Sequence, residues 1–179
     1  TRKESSAASD VYKRQGFTFY NEVEAHELSV PDVQLKKIIV SSGQIDLKVF
    51  NPIGTSAYYT LQMPGVVKDG LTLEHTFFIN AGTTEIPAVA NEQIVLDGYA
   101  IDLRGEDITG SVNVSGFNIL QTSLSIMSDP NGEAVPITTS DVFEVEAKIK
   151  NMSIDYAQGY FGEQVLSLIH ISEPTRLGM

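Results

Sequence analysis

In stretch after stretch of this chain, apolar and polar residues exchange places at every other position, the period of an extended backbone with one face turned from water. Residues 44–51 show it well, with Ile45, Leu47 and Val49 set between Asp46 and Lys48. Residues 143–150 show it best: Phe143, Val145, Ala147 and Ile149 face one way, and Glu144, Glu146, Lys148 and Lys150 the other. Proline cannot donate to a sheet ladder and pushes the residue before it out of the helical region, so Asn51-Pro52 predicts a strand end.

The same reading carried along the chain predicts an all-β domain. Phe17 and Phe19 suit a strand end, and residues 21–28 suit one short helical turn. Residues 33–40 and 44–51 are two β-rich runs around Ser41-Ser42-Gly43, which reads as a hairpin loop. A strand over 57–62 is closed by Met63-Pro64-Gly65. Lys68-Asp69-Gly70 is a turn leading into a strand over 71–79, whose run Phe77-Phe78-Ile79 suggests cover on both faces. Ala81-Gly82-Thr83-Thr84 reads as a loop, and 94–103 as a strand bent at Asp97-Gly98. Val112 and Val114 open a further strand, residues 119–127 form another, and Asp129-Pro130-Asn131-Gly132 is a turn. The total is about eight or nine strands at the spacing of antiparallel architectures, so the expected fold is an antiparallel β-sandwich or partly open barrel with little helix. If one face of each strand is buried, Asp at Leu47 or at Val145 should unfold the domain, whereas Asp at Glu144 should do little.

Charge narrows the functional classes. The 179 residues carry 12 basic and 23 acidic side chains, a formal net charge of −11. So acidic a surface repels phosphate backbones and anionic lipid headgroups, which argues against a nucleic-acid partner. The absence of cysteine excludes disulfides and thiolate metal sites. No apolar run approaches the roughly 20 residues of a membrane-spanning helix.

Candidate chemistry is sparse. His26 lies among Glu22, Glu24 and Glu27, a setting for a raised pKa or a metal ligand, although a solvated acidic loop accounts for it more simply. His75 falls on the Leu71 and Leu73 side of its strand, where a core-edge histidine bonded to neighbouring backbone is the simpler reading than a catalytic base. Asp129, Asn131 and Glu133 resemble a piece of a calcium loop, but the other ligands of such a loop are missing and a type I turn explains them better. Asn113-Val114-Ser115 and Asn151-Met152-Ser153 fit the glycosylation pattern. No phosphate-cradling glycine loop is present, and neither a catalytic constellation, a cofactor site nor a metal site can be assigned.

Both ends carry a resemblance of another kind. Ser5-Ser6-Ala7-Ala8-Ser9-Asp10-Val11-Tyr12-Lys13-Arg14-Gln15 and Leu166-Ser167-Leu168-Ile169-His170-Ile171-Ser172-Glu173-Pro174-Thr175-Arg176 resemble conceptual translations of the two transposase adapters used in DNA sequencing. GATGTGTATAAGAGACAG, which encodes the end of the first, is the reverse complement of CTGTCTCTTATACACATC, which encodes the start of the second. The resemblance implies adapter-derived tails over 1–15 and 166–179, and one native all-β domain over 16–165 that is a fragment of a longer, metagenomic gene product. Without the charged residues of the tails, seven basic and twenty acidic side chains remain, a net charge of −13.

Within the domain, Ile45-Asp46-Leu47-Lys48-Val49-Phe50-Asn51-Pro52 with Lys68-Asp69-Gly70 resembles the late-embryogenesis-abundant/WHy β-sandwich. Ile154-Asp155-Tyr156-Ala157-Gln158-Gly159-Tyr160-Phe161-Gly162 is similar to the end of β modules in uncharacterised bacterial envelope proteins. That second resemblance implies an exported, extracytoplasmic lipoprotein or surface protein. The leading expectation is therefore a non-enzymatic structural or binding module of a larger exported protein, with a protein, glycan or lipid partner. A carrier of lipid or another apolar ligand is the alternative, prompted by Phe50, Tyr58, Tyr59, Phe77, Phe78, Tyr99 and Phe117; it predicts an apolar groove or tunnel of several hundred Å³. A carbohydrate-binding domain with Tyr58 or Tyr59 as stacking platform is a third, and alternation puts one of those two in the core.

Overall fold

The computed structural model describes residues 16–132, 135, 137 and 141–162. The adapter-like tails, Glu133 and the end of the proposed native domain lie outside the described residues. Eight strands form one antiparallel, strongly curled open sheet, a half-barrel, with no helix among the described residues. In chain order they are β1 (Thr18–Glu27), β2 (Val33–Asn51), β3 (Ala57–Lys68), β4 (Leu71–Ile79), β5 (Ala88–Val95), β6 (Ala100–Asp102), β7 (Ile119–Ser128) and β8 (Glu144–Phe161). The all-β expectation holds, in its partly open barrel form.

Two long strands organise the sheet. β2 carries β8 along one side; on the other it pairs β6 at Lys37, Ile38 and Ile39, then β5 from Gln44 to Asn51. β3 carries β4 along one side, and β7 then β6 along the other. The short β6 therefore stitches the two groups together, and β1 extends the second group by pairing with β7. Asn118, in the left-handed region at φ 56°, clamps this junction. Its carboxamide accepts from Leu35 N at 2.8 Å and donates to Val33 O at 2.8 Å.

The core lies on the concave side. Ile45, Leu47 and Val49 of β2 join Tyr59, Met63 and Phe77, with Ile94, Leu120 and Ile126 completing it. Tyr59 is wholly buried, stacked on Phe77 at 5.6 Å, and its hydroxyl donates to Phe50 O at 3.3 Å. Asp69 and Gly70, at φ 53° and 79°, form the two-residue left-handed turn that joins β3 to β4 with the twist a hairpin needs.

Several expected elements differ. Residues 21–28 are not a helical turn but most of β1, because every position from Asn21 to Glu27 pairs with β7. Ser41-Ser42-Gly43 does not turn the chain. β2 runs straight through it with register shifts against β8 on both sides of Ser42, and a Cβ on Gly43 would come 3.4 Å from Met152 Cα. The glycine serves close strand approach, not a reversal. Met63-Pro64-Gly65 likewise bulges β3 rather than ending it. The run 94–103 is broken at the Leu96 to Tyr99 turn, with Gly98 at φ 79°, so β5 ends before it and β6 begins after it. Residues Val112 and Val114 lie in a loop, and Val114 is exposed. Phe78 is exposed between buried Phe77 and Ile79, so β4 is covered on one face only.

Candidate functional site

The half-barrel leaves part of its concave face open as a groove of about 410 Å³. Its floor is Ile45, Leu47 and Val49 of β2, with Leu61 and Met63 of β3 and Phe77 of β4 beside them. Leu120, Thr122 and Leu124 of β7 form one wall. The two lips are of opposite character.

On one lip stand Phe143 and, from β8 just after it, Val145, Ala147 and Ile149. The sequence placed these four on one face, and they do share one. The expectation that they are buried fails for Val145 and Ile149, 37% and 46% exposed against 3% for Leu47, whereas Phe143 is partly buried against the core. The physical reason is position. Leu47 has a strand on each side, paired with Glu92 and Ala147, and strands packed across from it. β8 is paired only with β2 among the described strands.

On the other lip stands β1, with Tyr20, Glu22, Glu24 and His26 facing the groove and Leu28 just beyond its end. The Tyr20 hydroxyl donates to Glu22 Oε2 at 2.6 Å, and that bond, with partial burial and the charges of Glu22 and Glu24, pushes the phenol up to about 12. His26 Nε2 lies 2.8 Å from Thr122 Oγ1 and 3.9 Å from Glu24 Oε2. His26 is thus on a strand, not in an acidic loop, and tied to the β7 wall. Sequence reading missed this lip because its inward face is apolar only at its two ends, which hides the alternation.

The other sequence candidates lie apart from the groove. His75 Nε2 is 3.1 Å from Glu92 Oε2 and its ring is tilted over Phe77, so its partner is a carboxylate on β5 rather than backbone. Asp129 accepts Asn131 N at 2.9 Å and its carbonyl accepts Gly132 N at 2.9 Å, which is turn geometry. Among the described residues, no cluster of three or more His, Asp or Glu is placed to hold a metal ion. Of the seven aromatics that prompted the carrier reading, only Phe77 lines the groove. Tyr58 packs on Phe78 at 5.3 Å on the opposite face, Phe50 lies under Lys48, Tyr99 faces Lys68, and Phe117 meets Tyr160. The groove is built mainly of aliphatic side chains.

Behind β8, Asp46, Lys48, Gln93, Glu146, Lys148 and Lys150 form a polar shelf on the convex side. Lys150 Nζ is 2.5 Å from Asp46 Oδ2, and Gln44 and Gln93 also donate to Asp46; these bonds hold its pKa below the ordinary carboxylate value. Lys148 Nζ lies 3.6 Å from Glu146 Oε2 beside it. No helix among the described residues is long and apolar enough to cross a membrane. No protein-family model matches the chain, and no curated protein is significantly similar to it in sequence.

Proposed function

We propose that this domain is a non-enzymatic binding module that takes an apolar ligand along the concave face of its half-barrel. The observation that carries the reading is the open aliphatic groove of about 410 Å³, within the roughly 300–1,000 Å³ of small-molecule sites. Ordinary cores close to near-crystalline density, and half-exposed Val145 and Ile149 beside buried Leu47 are what an occupant would cover. Placement in a larger exported bacterial protein is part of the proposal and rests on the envelope-like closing segment.

Glu22 and Glu24 on the β1 lip set the polarity of the occupant's head. They disfavour a carboxylate or phosphate there and suit a hydroxyl, amide or ammonium group. The test is a homologous series of n-alkyl alcohols, amines and carboxylates, titrated by calorimetry. Affinity should rise with each methylene by up to about 0.8 kcal/mol until the groove is full. At equal length, amine and alcohol should bind more tightly than carboxylate, with the gap narrowing as salt rises. Thr122→Trp, which fills the groove from the β7 wall, should abolish binding while leaving the circular dichroism spectrum unchanged. A series with no chain-length dependence would refute the reading.

A further inference from the structure

Among the described strands β8 pairs only with β2, and its other edge carries a second feature. Residues 144–150 read Glu-Val-Glu-Ala-Lys-Ile-Lys, a pattern that inverts its own charge about Ala147. These seven residues form an unbroken ladder with β2, Glu144 opposite Phe50 through Lys150 opposite Gln44, and the register shifts only beyond them. The charge-inverting segment is therefore the regular part of the strand.

We propose that this edge is the docking surface for a second copy of the same chain, the two β8 strands pairing antiparallel about a two-fold axis at Ala147. In that register Glu144 stands opposite the copy's Lys150, Glu146 opposite its Lys148, and Val145 opposite its Ile149. Ala147 meets its own counterpart. Residues directly opposite in an antiparallel pair point to the same face, so all charged pairs fall on the convex side and the apolar pairs on the concave side. Val145 and Ile149, exposed in one chain, then cover each other across the axis.

Charge complementarity selects this register. The proposed register makes four opposite-charge pairs, whereas a slip by two residues keeps only two and sets Glu146 against Glu146 in one direction, or Lys148 against Lys148 in the other. In-register parallel pairing sets every charge against its like. Within the chain Glu146 faces Lys48, Lys148 faces Asp46 and lies 3.6 Å from Glu146, and Lys150 reaches Asp46 on the diagonal, while Glu144 faces Phe50; the pairs across the axis add a second set of opposite charges to these. Edge strands commonly avoid such contacts with a row of one charge or a proline, and 144–150 has neither.

The experiment is sedimentation equilibrium of the whole chain from micromolar concentrations to about 1 mM, since a seven-residue strand pair lies at the small end of the interface scale. The native chain should dimerise. E144K/E146K and K148E/K150E should each sediment as a monomer, because each then presents one sign of charge to its copy, and an equimolar mixture of the two should form the heterodimer. The mixture separates a lost contact from a lost fold, and circular dichroism of each variant checks folding independently. As the chain has no cysteine, A147C should oxidise to a covalent dimer, with E146C and K148C doing so more slowly. A native chain that stays monomeric throughout, a dimer indifferent to both charge reversals, or a mixture that fails to associate although both variants are folded would overturn the proposal.

Discussion

Asn51 ends β2 with its side chain wholly buried and every polar atom engaged. Its Nδ2 donates to Thr55 O at 2.9 Å and to Asn80 O at 2.8 Å, while its Oδ1 accepts from Ile53 N at 3.3 Å. Two carbonyls and one amide would lose their partner in Asn51→Ala, so that change should cost about 2–4 kcal/mol in a urea melt. Nearby, the buried Thr55 hydroxyl has no hydrogen-bond partner among the described residues. Thr55→Val keeps the shape and removes the unpaired group, so it should stabilise by about 1 kcal/mol. Asp102 behaves differently. Burial pushes its pKa up, but its bonds to the Arg104 guanidinium and backbone N–H outweigh that and hold it below the ordinary value. A depressed folded pKa stabilises above the unfolded value of about 3.9 and is lost as pH falls through the folded one. The stability gap between the native chain and Asp102→Asn should therefore be flat above about pH 5 and close as the pH drops below about 4. Measurement by urea titration at several pH values decides it; a gap that widens toward acid would refute the assigned role.

At the scale of elements, Leu47 and Val145 mark what alternation discloses and what it leaves out. Each is an apolar residue between two charged ones, Asp46 and Lys48 in one case, Glu144 and Glu146 in the other, and in each the side of the strand was correctly legible. Whether anything lies over that side depends on neighbours in the sheet, which no local pattern encodes. Leu47→Asp should unfold the domain, because an unpaired carboxylate would be buried there, whereas Val145→Asp should cost less than about 1 kcal/mol in dilute protein. Urea midpoints compare them directly, and equal losses would mean that β8 is packed over. The continuity of β2 through Ser41-Ser42-Gly43 was hidden for a related reason. A bulge inserts residues that break the alternation, and serine and glycine there look the same as a turn. β1 was hidden because Glu22, Glu24 and His26 occupy its inward positions. The candidate groove was legible only as an expected apolar space, since its walls come from strands distant in sequence.

For the whole molecule, the open side decides the energetics. No hydrogen-bonded pairing joins β1 to β8 among the described residues, so the core has a mouth where a closed barrel would have a seam. An apolar occupant supplies buried area that the sheet itself lacks, and because the groove exists only in the folded state, binding and folding are linked. An alkyl alcohol at one hundred times its dissociation constant should stabilise the fold by about 2.7 kcal/mol. For a chain of 179 residues, that corresponds to a rise in Tm of roughly 5–10 °C. Thr122→Trp, with its groove filled from within, should melt at the same temperature with or without the alcohol. The comparison separates specific occupancy from the general action of alcohols on apolar surface, which weakens burial in both proteins alike. A rise in the native chain that the tryptophan variant lacks therefore assigns the ligand to the groove, whereas equal shifts in the two proteins assign it elsewhere.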